Sequence, residues 1–232
     1  MHNSMADPLN FSASLRGLAV DLTRISNDLR LLSSLDPNAP GIRGWAQYWT
    51  QLAHAHHGLR QFDHEVEAAR EMWARFPERR VATVLAARGL AAAGRHAELD
   101  SLFAALRLLP ADTYWSLGAA LVVAGEETRA HFGDAAAAAR YLERAVTWLQ
   151  ARLDQKPDDR SHRYWLASAR YDLEDFAEAE RLFRGLSTDY PERNDFRTGA
   201  LVARAQLDGS EAVRARLEAD GEPVHGHEPV SY

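Results

Sequence analysis

Apolar residues in the first part of the chain fall at Phe11, Leu15, Leu18, Leu22, Ile25, Leu29 and Leu32. The steps alternate between four and three, the 3.5-residue period of a helix that lays one narrow stripe on a partner. The pattern predicts an amphipathic helix over 10–34, with Asn10 or Ser12 able to cap its first turn. The run "SSLDPNAPG" stops it, because two prolines and a glycine do not continue a helix. Residues 1–9 read as a disordered start and 35–42 as a linker.

From residue 43 onward the pattern repeats. Pro77 and Pro110 stand 33 residues apart, and Pro157 and Pro191 stand 34 apart, each closing an amphipathic helical stretch. "YWTQLAHAHHGLRQFDHEVEAAREMWARFP" and "HRYWLASARYDLEDFAEAERLFRGLSTDYP" align without a gap. A second unit, "VATVLAARGLAAAGRHAELDSLFAALRLLP", turns at Gly94, and a third opens with "YWSLG". The third is longer, which places its extra residues in long helices over 114–131 and 135–153 with Gly133-Asp134 as the turn. Tyr-Trp pairs recur at Tyr48-Trp49, Tyr114-Trp115 and Tyr164-Trp165. After Pro191, "NDFRTGALVARAQLDG" and "SEAVRARLEAD" read as capping helices that cover the last apolar face. Residues 43–220 thus read as one all-α repeat domain of about four helical hairpins, and the Gly- and Pro-rich 221–232 as a disordered tail.

The repeats resemble the tetratricopeptide repeat over roughly residues 42–208. In the first, Trp49, Leu52, Ala53, Phe62 and Pro77 match, whereas Glu65 stands where a small residue is usual and Ala69 where an aromatic is usual. In the last full one, Leu166, Ala167, Phe176, Ala179, Phe183 and Pro191 match. The resemblance implies a right-handed superhelical solenoid in which the first helix of each hairpin lines a concave groove for a peptide. Carried over position by position, the groove would present Thr50, His54 and His57, then Val84 and Arg88, then Trp115 and Ala119, then Tyr164, Ser168 and Tyr171. That mixture suits a partner of apolar and acidic-to-neutral character. It lacks the Lys/Asn/Arg set with which some family members clamp a terminal carboxylate.

The opening helix, "SASLRGLAVDLTRISNDLRLLSS", is similar to a helix of the aspartase and fumarase family of lyases, through Leu15, Leu18, Ala19, Leu22, Ile25, Asn27, Asp28, Leu29, Arg30, Leu32 and Ser34. The family's S-G-P-R continuation and its catalytic serine loop are absent from the chain. A single helix cannot hold a dicarboxylate and abstract its proton. The stripe of Leu15, Leu18, Leu22, Ile25, Leu29 and Leu32 is therefore expected to dock on the first hairpin or to pair with a second copy as a homodimer, with pairing slightly favoured by its a/d spacing.

Charge and composition narrow the function classes. The formal net charge of −6 disfavours broad contact with nucleic acid, which needs Lys and Arg to displace counterions. It also disfavours attraction to an anionic membrane surface. The absence of cysteine removes disulfides, thiol catalysis and thiolate metal sites, and fits a cytoplasmic protein. No signal peptide or membrane-crossing apolar run is read. His54 and His57 stand one helical turn apart and could share a metal, but no third ligand completes them at helical spacing. His225 and His227 in the tail read as solvated, and the carboxylates of "YDLEDFAEAE" as a solvated turn. No phosphate-binding or nucleophile-elbow motif occurs. The expectation is a non-enzymatic protein- or peptide-binding module without cofactor or metal, with assembly through the first helix as the alternative and a remnant of an aspartase/fumarase-type lyase as the remote one.

Overall fold

A computed structural model describes residues 24–107 and 115–219. Eleven helices and no strand are present among the described residues: α1 (24–33), α2 (Ala46–Gly58), α3 (Phe62–Arg75), α4 (Val81–Ala92), α5 (His96–Leu106), α6 (Trp115–Phe132), α7 (Ala135–Leu153), α8 (Arg160–Asp172), α9 (Phe176–Asp189), α10 (Asn194–Asp208) and α11 (Ser210–Ala219). None is long and apolar enough to cross a membrane. Residues 1–9, the tail 221–232 with His225 and His227, Tyr114, and the stripe positions Leu15, Leu18 and Leu22 lie outside the described residues, as does the Trp115 side chain.

Most of the helix pairs that pack are neighbours in sequence, and three hairpins are closed by the same backbone turn. α2, α4 and α8 end alike. A residue in the left-handed region follows each: Arg60 at φ 58°, Gly94 at φ 70° and Glu174 at φ 63°. Their N–H groups donate to the carbonyls of His57, Ala91 and Tyr171, and the next N–H groups, of Gln61, Arg95 and Asp175, donate to His56, Leu90 and Arg170, all at 2.8–3.0 Å. These paired bonds satisfy carbonyls that a helix end leaves open and reverse the chain within a few residues. The second helices α3 and α9 also share an ending. Phe76 and Tyr190 take φ of −136° and −135°, the extended backbone favoured before proline, and Pro77 and Pro191 follow. The Gly133-Asp134 turn forms as expected, with Gly133 at φ 63° and the Asp134 side chain accepting from the Ala137 N–H at 2.8 Å.

The single repeat domain expected over 43–220 divides into two compact units, after Phe132. In the first unit α6 packs on α4, and in the second α7 packs on α8. In the first unit α4 lies between α3 and α6 and is buried around most of its circumference, which explains its nearly continuous run of Ala and Leu. Tyr48, Trp49, Leu52, Ala69, Met72 and Leu85 form the neighbouring core. Leu29 and Leu32 of α1 pack against it, and the Tyr48 hydroxyl donates to the Leu32 carbonyl at 3.3 Å. Ile25 lies so close to α2 that a Cβ on Gly58 would stand 2.9 Å from its Cδ1. The described part of the stripe is therefore docked on the first hairpin. Residues 35–42 are more than a linker: Leu35 and Ile42 pack on the same core, and Ala39 and Ile42 close local turns onto the Asp36 and Ala39 carbonyls. Two prolines end α1, but the apolar residues beside them still have a core to join.

In the second unit α9 packs its apolar face, Ala179, Leu182, Phe183 and Leu186, between α8 and α10. Gly199 of α10 lies flat against Phe183, where a Cβ would meet ring atoms at 2.8–2.9 Å. Gly199→Ala should therefore lower stability by about 1–3 kcal/mol through overpacking, despite alanine's better helix propensity, as read by urea unfolding.

His162, on α8, is buried with neither ring nitrogen hydrogen-bonded. Its ring stands edge-on to Trp148 at 5.4 Å, and its Nδ1 is 3.5 Å from Asp159 Oδ1, while that carboxylate caps α8 through the His162 backbone N–H at 3.0 Å. Burial holds its pKa below the ordinary histidine value; Asp159 opposes this, and Arg152 and Lys156 add to it. The unfolded chain thus binds a proton that the folded ring resists. This group's contribution to stability is complete above the unfolded value of about 6.5 and falls as pH drops through it toward the lowered folded value. Urea midpoints taken from about pH 7 to about pH 5 should decline less in His162→Phe than in the parent chain.

Candidate functional site

The shared hairpin closure puts the chain's repeats in register and exposes one anomaly. Glu65, Leu99 and Ala179 each stand four residues after the residue that follows the left-handed turn position, with N–H groups bonded to the carbonyls of Gln61, Arg95 and Asp175. All three are completely buried. Two are apolar, as the packing requires, and one is a carboxylate. Taking a carboxylate out of water costs several kcal/mol unless charge and hydrogen bonds replace the lost hydration.

Both replacements come from first helices of the hairpins. Arg88, on α4, donates through Nε to Glu65 Oε1 at 2.5 Å. His57, on α2, places Nδ1 at 2.8 Å from Oε2. An ionised carboxylate only accepts, so the proton of this contact sits on His57 Nδ1. The guanidinium of Arg88 reaches further, to His54 Nδ1 at 3.1 Å. Since arginine only donates, His54 Nδ1 is the acceptor there. Although His54 has an exposed edge, the loss of water around its ring first, and Arg88 second, hold its pKa below the ordinary value. The remaining Arg88 terminal nitrogen, Nη2, is buried without a hydrogen-bond partner.

The network continues onto α6. His57 Nε2 faces Glu127 Oε1 at 3.6 Å, and His131 Nε2 lies 3.1 Å from Glu127 Oε2. Glu127 and His131 are four residues apart and share one helical face. Arg60, at the left-handed turn position, reaches His131 Nδ1 at 3.3 Å. Phe62 lies against both imidazoles, with ring centroids 5.5 Å from His57 and 4.8 Å from His131. The result is a half-buried cluster of His57, Glu127 and His131, whose donor atoms all lie within 4.8 Å of one another, supported from beneath by Glu65 and Arg88.

Of the groove positions read from the sequence, His54, His57 and Arg88 are brought together here. His54 and His57 do not share a ligand: the first turns to Arg88, the second to Glu65 and Glu127. Thr50 is buried, with its hydroxyl within reach of Met72 Sδ at 3.6 Å and the Ala46 carbonyl at 3.5 Å as alternative acceptors, and Ala119 of α6 is buried as well. Val84 is half-buried. In the second unit, Tyr164 packs on Phe183 and Phe196 at 6.0 and 5.9 Å, and Ser168 returns its hydroxyl to the Tyr164 carbonyl at 3.2 Å. Tyr171 lies against Phe176 at 5.3 Å, with its hydroxyl 3.4 Å from Gln206 Nε2. Ile25, Leu29 and Leu32 are half-buried on the first hairpin. His64 stacks on His56 at 5.1 Å, outside the cluster. In the acidic run, Asp175, Glu178 and Glu180 pair with Arg170, Arg181 and Arg184.

Glu127 and His131 were missed in the sequence. The available signal was their i, i+4 spacing on a helix predicted to line the same face as His57. No protein-family model matches the chain, and no curated protein is significantly similar to it.

The Glu65–Arg88 pair sets up a double-substitution test. Arg88→Met alone strands a buried carboxylate and should cost about 3–5 kcal/mol. Adding Glu65→Leu restores the side chain that the neighbouring hairpin carries at that position and should recover most of the loss. Urea unfolding of the parent, the two single variants and the double variant reads the coupling directly.

Proposed function

We propose that the chain is a protein-interaction module of tetratricopeptide-like hairpins, stacked as a superhelical solenoid, that takes an extended or helical peptide on the first-helix face of its first unit. The observation that carries this reading is the recurrence of one hairpin closure at Arg60, Gly94 and Glu174, which sets the first helices α2, α4 and α8 in one register. It agrees with the tetratricopeptide resemblance in the sequence. On this face His54 is exposed, Val84 is half-buried and the Arg88 side chain is 15% exposed. Such a surface offers an imidazole, an aliphatic contact and the edge of a guanidinium, and it suits a peptide that pairs an acidic side chain with an apolar one. The reading assigns no turnover and no nucleic-acid or membrane contact, and it places the chain in the cytoplasm.

A displayed random-peptide library panned on the folded chain should enrich acidic-apolar sequences. Their affinity by calorimetry should fall about 10-fold or more when His54 and Val84 are both changed to Asp, because like charge then opposes the peptide's carboxylate. Arg181→Ala, at an exposed ion pair of the second unit, should leave it unchanged. Failure to enrich any sequence, or enriched peptides indifferent to the His54/Val84 change, would overturn the reading.

A further inference from the structure

We infer that His57, Glu127 and His131 form a binding site for a divalent first-row transition metal, of the zinc or iron(II) class. The inference does not depend on peptide binding.

The argument starts from protons. Glu65 accepts from His57 Nδ1, so a neutral His57 presents a bare lone pair at Nε2. That lone pair faces Glu127 Oε1 at 3.6 Å, and a carboxylate oxygen is also an acceptor. Two acceptors this close are favoured by something positive between them, a proton or a metal ion. Ligand atoms about 2.0–2.2 Å from a zinc-sized centre lie some 3–3.6 Å from each other. His57 Nε2 lies 3.6 Å from Glu127 Oε1 and His131 Nε2 lies 3.1 Å from Glu127 Oε2, so the carboxylate bridges the two imidazoles. One ligand atom from each residue falls within 4.8 Å of the others, and a small turn of the side chains closes them on one ion.

The surroundings are those of a metal centre rather than of a surface ion pair. Metal-bound histidines usually give their second ring nitrogen to a carboxylate, which fixes the tautomer and aims the ring. Glu65 does this for His57, and it occupies a position where the equivalent hairpins bury Leu99 and Ala179. A packing role would have been filled by an apolar residue; the carboxylate orients an imidazole. Phe62 walls one side of both rings. The ligand side chains are 23%, 16% and 18% exposed, so an ion could enter and keep a coordination position for water or an incoming acceptor. Two histidines and one carboxylate with an open position match zinc and non-haem iron preferences, and not those of calcium or magnesium, which take oxygen ligands.

One group opposes the ion. Arg60 donates to His131 Nδ1, so a neutral His131 carries its proton on Nε2, toward Glu127. Coordination through Nε2 moves that proton to Nδ1, where it faces the guanidinium. Arg60 is exposed and must withdraw for the metal to bind. It acts as a competitor for the site, and its removal should tighten binding. Arg60→Gly is the suitable variant, because glycine is at ease at this left-handed turn position, as Gly94 is in the next hairpin.

The test uses the full chain, stripped with chelator and titrated with Zn2+ by calorimetry and with Co2+ by its visible ligand-field absorption. One Co2+ should bind per chain with the intense bands of a four- or five-coordinate centre. Glu127→Gln and His57→Gln should abolish those bands while circular dichroism stays unchanged. Glu65→Gln should weaken binding about 10–100-fold, the usual effect of removing a group that orients a ligand. Arg60→Gly should strengthen it, and replacing His225 and His227 by Ala should leave it unaltered. The proposal is overturned if no Co2+ binds at one equivalent, if Glu127→Gln binds as the parent does, or if Arg60→Gly weakens the site. In the first case the cluster is a proton-bridged network only.

Discussion

The constraint on which the rest of the molecule depends is the left-handed residue that ends the first helix of a hairpin. Once Arg60, Gly94 or Glu174 takes a positive φ, two successive N–H groups fold back on the helix, and the next helix must start within a residue or two. Nothing longer in range is needed to reverse the chain. Many fully buried residues of these hairpins are small, Ala53, Ala69, Ala87, Ala91, Ala167 and Ala179 among them. A polar residue in such packing must be satisfied by specific neighbours. Glu65 is that case. Its carboxylate fits only because Arg88 and His57 reach it from two other helices, so the same close packing that excludes most residues also pre-organises an electrostatic cluster.

Much of the architecture was legible in the sequence because its determinants are local. Pro77 and Pro191 mark helix ends by restricting the residue before them, and Gly94 and Gly133 mark turns by tolerating positive φ. Arg60 and Glu174 adopt the same backbone without the residue type that would announce it; only their alignment with Gly94 does. The docking of Leu35 and Ile42 was hidden by the prolines around them, since proline reports on backbone and says nothing of whether an adjacent side chain has a core to enter. The division after Phe132 was hidden too, because the hairpin pattern is identical whether consecutive helices pack on each other or on outer neighbours.

The candidate site was legible in part. Glu65 stood out as a charged residue where a small one belongs, and His54, His57 and Arg88 fell on the face expected to be functional. Their grouping was not legible, because it joins residues separated by up to some seventy positions through the packing of α4 on α6, a long-range contact that periodicity does not encode. Thr50 and Ala119 were expected on the same face and are buried in it. A groove register transferred from a repeat pattern follows sequence spacing and does not encode which side chains neighbouring helices enclose.

α4 has a consequence of a different kind. Its inner position between α3 and α6, with residues such as Leu85, Ala87, Leu90 and Ala91 fully enclosed, means that its amides reach water only when both neighbours have moved. Arrays of hairpins commonly fray from one end, each hairpin opening without the next. Here the first unit has a sealed middle layer to which α3 and α6 are both fastened, so opening either flank leaves the slowest-exchanging amides still protected. The unit holding the histidine cluster therefore keeps its central frame through small local openings.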